Sequence, residues 1–312
     1  MKSLSVLLSG LAFAALGHAA QPLLSPAELQ PKLADPNVRV IDIRESRIYL
    51  ADHIPGSVNA PYMHWRGPAG NPGELPPLPK LKELVQSMGL SPSVHAVVVS
   101  SGADASDFGA AARVYWTLKV LGLKELSVLN GGVKAWTGAK LPLSKEGVLA
   151  PTSSYEPQLD MSLIATTQEV AQRVKSGDAV LIDARPEPFF YGETRAPMAK
   201  VPGTLPGAVN LRHDKWFAPG SAVFVPESQA RQIAATSPID PAKQTVSFCN
   251  TGHWAATNWF AMSEVLGQKN VKLYPTSMTE WSRDPNLPMD NVPSRVAQLV
   301  IDAKIWADKT FK

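Results

Sequence analysis

At 312 residues the chain exceeds one average domain, and two domains of about 120–150 residues are the default expectation. Hydrophobic content of 45% with 18% charged residues is an ordinary globular composition, which excludes a disordered chain. The formal charge of +3 falls to +2 without the first twenty residues, which carry Lys2, and excludes the basic field a nucleic-acid binder needs.

In chain order, Met1-Lys2-Ser3 precedes an apolar run from Leu4 to Leu16, closed by the small residues Gly17, Ala19 and Ala20. This reads as a secretory signal peptide over residues 1–20, which would place the mature chain in the periplasm or outside the cell. An uncleaved anchor is the competing reading, but the run is short of the roughly 18–20 residues a span needs. No other stretch approaches that length, so no membrane span is expected in the mature chain. With one cysteine the protein forms no internal disulfide, and its thiol is either a buried spectator or a reactive group. Thiol metal clusters are excluded by count, and the six histidines lack metal-binding spacings, so neither metal nor cofactor is expected.

Ser25-Pro26-Ala27-Glu28 is a capping box opening a short helix. Residues 38–43 read as a buried strand ending in Asp42-Ile43-Arg44, followed by the turn His53-Ile54-Pro55-Gly56-Ser57-Val58-Asn59. Helices are expected over 80–88, stopped by Gly89, and over 106–121, stopped by Gly122. Between and after them, 96–100 and 126–129 are strands, and Asn130-Gly131-Gly132 leads into 133–136. Periodicity is lost over 141–158, and a linker is assigned to 144–160.

The pattern then restarts. Thr166–Glu169 is a second capping box, 179–182 a strand ending in Asp183-Ala184-Arg185, and Thr204–Asn210 echoes the earlier Pro-Gly turn. Residues 246–248 repeat the 97–100 strand, and 272–281 repeat 128–136. The offsets are 141 for Asp-x-Arg, 151 for Pro-Gly and 145 for the closing Trp, which locates an insertion of about ten residues near 192–200. One unit is therefore duplicated, giving domains over 21–143 and 161–290, with a helix over 291–312 expected to pack across them through Val296, Leu299, Val300, Ala303 and Trp306. Alternating strands and helices predict an α/β fold: in each domain a parallel sheet with helices on both faces.

The only cysteine lies in Thr245-Val246-Ser247-Phe248-Cys249-Asn250-Thr251-Gly252-His253-Trp254, between an apolar run and a helix-periodic segment. A strand, a short Gly-containing turn and a helix start bring free backbone N–H groups and dipole charge onto one sulfur. Such surroundings favour a nucleophilic thiolate, at the sheet's carboxyl end where ligands bind in parallel folds.

The paired Asp-x-Arg, the Pro-Gly-(Ser/Ala)-Val-Asn turns, Val128-Leu129-Asn130-Gly131-Gly132, Cys249-x-x-Gly252 and the closing tryptophans resemble the tandem-domain rhodanese sulfurtransferases. That resemblance implies a silent first domain, with Ser101 opposite Cys249, and an active second one. It implies that Cys249 takes a sulfane sulfur from thiosulfate or a related small donor and passes it, as a persulfide, to cyanide, a thiol or an acceptor protein. The active loop would be Asn250, Thr251, Gly252, His253 and Trp254, with Asp183 and Arg185 fixing it from behind.

The sequence departs from the family in its charges. Asn250 and Thr251 stand where thiosulfate-using members carry Arg or Lys, leaving His253 as the loop's only candidate cation. Phe189 stands where a pocket Arg is usual, Thr204 replaces the motif His, and Trp254 replaces a small hydroxyl residue. Arg195, Arg212 and Lys215 are candidate substitutes for the missing charge. A persulfide carrier with little small-donor turnover, or a 3-mercaptopyruvate enzyme, are the alternatives. A phosphatase of this fold is rejected, since Ala255 occupies the position of its phosphate-binding Arg.

Overall fold

The computed structural model describes residues 20–237 and 239–311. All but the last residue of the expected signal peptide lies outside the described residues. Among the described residues nine strands form two sheets, parallel throughout. The first contains β1 (Leu23–Leu24), β2 (Val38–Asp42), β3 (Val58–Asn59), β4 (His95–Val99) and β5 (Leu126–Leu129), in the order β1-β5-β4-β2-β3. The second contains β6 (Ala179–Asp183), β7 (Val209–Asn210), β8 (Gln244–Phe248) and β9 (Val271–Leu273), in the order β7-β6-β8-β9.

Two short helices illustrate how sequence sets these elements. At Pro26–Leu29 the Ser25–Glu28 capping box closes in both directions. At Thr167–Ser176 only half the box forms, because the Glu169 carboxylate turns to Lys272 on β9 instead. Gly177 then ends that helix in the left-handed region.

Each central strand is apolar because both faces of its sheet are covered. In the first unit Val97 and Val99 face one cluster with Trp136, while Val98 faces the large core. That large core runs through both units. Its centre is the helix Ala105–Val120, buried over most of its length, packed against the helix Trp254–Phe260 of the second unit. Phe108 meets Phe217 and Phe260 edge-on at 5.1 and 5.5 Å. Edge-on aromatic pairs of this kind add about 0.5–1.5 kcal/mol beyond their buried area. The two units therefore share one interior, and their strand-end loops face each other.

Register corrects one sequence equivalence. Val99 pairs with Asp42 and Phe248 with Asp183, so the residue after each strand end is Ser100 in the first unit and Cys249 in the second. Hydrogen bonds agree: Val133 N–H donates to Ser100 O as Met278 N–H does to Cys249 O. Ser100, not Ser101, stands opposite Cys249. Alignment from the loops slipped by one because they share no residue pattern: Ser100-Ser101-Gly102-Ala103-Asp104 faces Cys249-Asn250-Thr251-Gly252-His253 at equal length.

The C-terminal helix, Arg295–Phe311, also differs from expectation. Val296, Leu299, Val300 and Trp306 are exposed, and Ala303 too lies on the surface, so this side is not buried between the units. The helix is held through buried Ile301 and the Arg195–Asp302 ion pair. Among the described residues no helix is long and apolar enough to cross a membrane.

Candidate functional site

Cys249 follows β8 directly and is buried, with 1% of its surface exposed. Its backbone is gripped on the far side by the segment after β9. Cys249 N–H donates to Ser277 Oγ at 3.0 Å, and that hydroxyl donates to Tyr274 O at 2.7 Å. Met278 and Thr279 N–H groups close the grip on the carbonyls of Cys249 and Asn250. Ser277 holds φ at +50°, a left-handed conformation that costs a non-glycine residue about 1–2 kcal/mol. The seat of the cysteine is thus built under strain.

Beyond the cysteine the chain curls tightly. Gly252 sits at φ +66°, with Pro275 O 2.4 Å and Arg113 Nη1 2.7 Å from where a Cβ would lie. Only glycine fits this close approach. Among the described residues the N–H groups of Asn250, Thr251, Gly252 and His253 find no protein acceptor. Buried or half-buried donors left open like this are anion-binding geometry.

In the matching loop of the first unit two of the donors, at Gly102 and Ala103, are satisfied by side chains. Asp104 caps the helix Ala105–Val120 by accepting Asp107 N–H, and the Asp107 carboxylate accepts Gly102 N–H at 2.6 Å. With Ser100 opposite Cys249, Asp104 corresponds to His253 and Asp107 to Ala256. His253 makes no side-chain cap. The second unit carries Cys249 where the first has Ser100, and Ala256 where the first has the Asp107 carboxylate that fills its own loop.

The cations at the loop come from the first unit, which sequence reasoning missed. Arg113, in the middle of the helix Ala105–Val120, is fully buried. Its Nη1 donates to Gly252 O at 3.3 Å and Thr251 O at 3.5 Å, and its Nη2 to Gly73 O at 2.7 Å. Arg66 donates from Nη2 to Thr251 O at 2.9 Å and from Nη1 to the Tyr62 hydroxyl at 3.1 Å. The signal for Arg113 was present: a lone cation within a run of alanines and aromatics. Arg66 carried none.

His253 is not the loop's cation. Burial, and then the nearby Arg66, lower its pKa to about 3, so the ring is neutral. Nε2 donates to Ser106 O at 2.8 Å, leaving Nδ1 to accept from the Tyr62 hydroxyl at 2.8 Å. Gly109 leaves the room, since a Cβ there would lie 3.0 Å from Nε2. His253 thus stitches the loop to the first unit.

The remaining sequence candidates divide. Arg185 pairs with Asp183 through two nitrogens, donates to Gly203 O at 2.8 Å, and reaches Asn250 Oδ1 at 3.4 Å. Thr204 also donates to Asp183, at 2.8 Å. This buried pair braces the loop from behind. Trp254 donates to Ser106 Oγ at 2.8 Å and lies between His213, stacked at 4.8 Å, and Phe189 at 6.1 Å. Arg195 is engaged elsewhere, by Asp302 and the carbonyls of Ala196 and Ala199. Arg212 is held by Asp214; with Lys215 and Asp104 it lines a cavity of about 440 Å³ between the units. A larger cavity, of about 960 Å³, is lined by Met63, His64, Arg66 and Lys80. Neither cavity is lined by Cys249. Among the described residues no His, Cys, Asp and Glu cluster is placed to hold a metal ion.

Comparison with known proteins places this geometry. Residues 25–139 and 166–284 each match the Rhodanese-like domain family. A thiosulfate sulfurtransferase of Pseudomonas aeruginosa is 30% identical over 271 residues, covering 86% of this chain and 96% of the relative. A probable 3-mercaptopyruvate sulfurtransferase of the same organism is 31% identical over 294 residues, covering 86% and 97%. The crystal structure of the 3-mercaptopyruvate sulfotransferase SseA from Escherichia coli superposes with a TM-score of 0.73 at 23% identity, over 83% of this chain and 99% of that one. With two matched units and a strand-end cysteine loop in the second, the chain belongs to the rhodanese family, as a tandem of two rhodanese-like domains.

Proposed function

We propose that the protein is a sulfurtransferase that carries sulfane sulfur on Cys249. The observation that carries this reading is the ring of unpartnered N–H groups at Asn250–His253 beside the only thiol in the chain. The Cys249 thiolate attacks the outer sulfur of thiosulfate; the new sulfur–sulfur bond forms as the old one breaks, and sulfite leaves with its electron pair. Cyanide or a thiolate then takes the terminal sulfur, restoring the thiolate. The terminal persulfide sulfur is an anion, and loop donors suit it as they suit the thiolate. Names of relatives point both to thiosulfate and to 3-mercaptopyruvate, at nearly equal identity. Phe189 leaves no guanidinium at the position expected to hold a mercaptopyruvate carboxylate, and Asn250 and Thr251 leave no cation where thiosulfate users carry one, so the two donors are separated by their rates. Export to the periplasm or out of the cell, read from residues 1–20, completes the proposal.

Purified protein given thiosulfate and cyanide should form thiocyanate, and Cys249→Ser should abolish it. Comparison of kcat/KM across thiosulfate and 3-mercaptopyruvate ranks the donors. The burial of Cys249 favours one second reading, a carrier that receives and yields sulfur only when a partner protein docks. Persulfide on Cys249 without thiocyanate turnover would select it.

A further inference from the structure

Arg113 is fully buried, yet no carboxylate pairs with it among the described residues. Its acceptors are four backbone carbonyls, two of them in the cysteine loop, and its Nε has no partner at all. A buried guanidinium without a counter-charge is costly, and proteins keep one only where something repays it. The charged and titratable groups facing Arg113 are Arg66 and Tyr62 from the segment 62–66, and His253 and Cys249 from the loop. His253 is neutral, and Arg66 repels. Burial, then Arg66, lower the Arg113 pKa to about 9, opposed by Tyr62 and Cys249. The Glu74 carboxylate turns instead to Asn71. Of these groups, Cys249 alone becomes an anion in the proposed chemistry.

We propose that Arg113, a residue of the domain without the cysteine, is the counter-ion of the anionic sulfur on Cys249. The so-called silent domain is then half of the site: it supplies as a buried charge what the loop lacks at Asn250 and Thr251. Arg113 acts through the field and through the loop carbonyls it holds, and is a positioning residue. The inference rests on the sulfur-transfer reading, which makes Cys249 an anion during turnover.

The test is alkylation of the single thiol by iodoacetamide, followed by mass, from pH 5 to pH 10, in wild type, Arg113→Lys and Arg113→Gln. In R113Q the midpoint of the profile should move up by at least about one pH unit, making alkylation about tenfold slower at pH 6. The curves should converge near pH 10, and R113K should lie nearer wild type. An R113Q profile superimposed on wild type would overturn the proposal. So would a drop in the high-pH plateau of both variants with no movement of the midpoint, which is the signature of mere loosening. Should R113Q fail to fold, the pH dependence of unfolding free energy in wild type and Cys249→Ser decides. The wild type should gain on C249S as pH rises from 6 to 9, and a constant difference would refute the pairing. Failure of the activity reading is separable, since an Arg113-dependent profile in a protein that takes no sulfur from thiosulfate would remove only the latter.

Discussion

Gly252→Ala tests the architecture of the loop at its tightest point. Two costs add. Alanine at φ +66° carries about 1–2 kcal/mol of backbone strain. Its Cβ would also sit 2.4 Å from Pro275 O and 2.8 Å from Pro275 Cα, backbone atoms that must move, and 2.7 Å from Arg113 Nη1. Overpacking of that kind costs about 1–3 kcal/mol. The total, about 2–5 kcal/mol, corresponds to a fall in Tm of roughly 4–20 °C for a chain of this size. Function should suffer more, because displacing reacting atoms by about 1 Å can cost on the order of a hundredfold in rate. Calorimetry and the rate of persulfide formation from thiosulfate measure both. Gly138→Ala is the control, with no atom within 4 Å of its Cβ and no left-handed φ, and should shift stability by less than about 1 kcal/mol. A G252A protein melting and reacting like wild type would refute the reasoning.

Three further outcomes follow from the same geometry. Ser277→Ala leaves the buried Cys249 N–H without an acceptor and should cost about 1–3 kcal/mol, whereas Ser277→Gly relieves the left-handed strain and should be about 1 kcal/mol the more stable of the two by urea denaturation. His253 ionises near pH 3 when folded but near 6.5 when unfolded, so between those values the unfolded state binds the extra proton and stability falls as pH falls. Wild type should therefore lose up to about 1.4 kcal/mol per pH unit relative to His253→Gln across that window, and parallel curves would contradict the neutral ring. Arg185→Met strands the buried Asp183 carboxylate and should cost about 3–5 kcal/mol; adding Asp183→Asn should recover part of it, and a loss no larger in R185M than in the double variant would show that the pair is not coupled.

The duplication was legible because its markers are local. Asp-x-Arg, Pro-Gly and the closing tryptophans each sit at a strand end or turn whose geometry demands those residues, and they recur at nearly constant offsets. Strands β2, β4, β6 and β8 showed as apolar runs because their sheets are covered on both faces. The electrostatics were not legible in the same way. Arg113 and Arg66 reach the loop across 139 and 185 residues of chain, a separation no spacing rule encodes. A helix from 105 to 120 buried over most of its length, with one buried cation inside it, was nonetheless a signal worth reading. His253 misled because the loop's sequence offers no other cation, while Gly109 lets its ring into the seam between the units, where it is neutral. The C-terminal helix misled because periodicity shows that a side is apolar, not that anything covers it.

The central claim is that Cys249 accepts a sulfur atom. With one cysteine in the chain, the mass of the intact protein after incubation with thiosulfate and removal of excess donor reads this directly. A gain of one sulfur, about 32 Da, reversed by cyanide and absent from Cys249→Ser, is the predicted result. An unchanged mass in folded wild-type protein would contradict it.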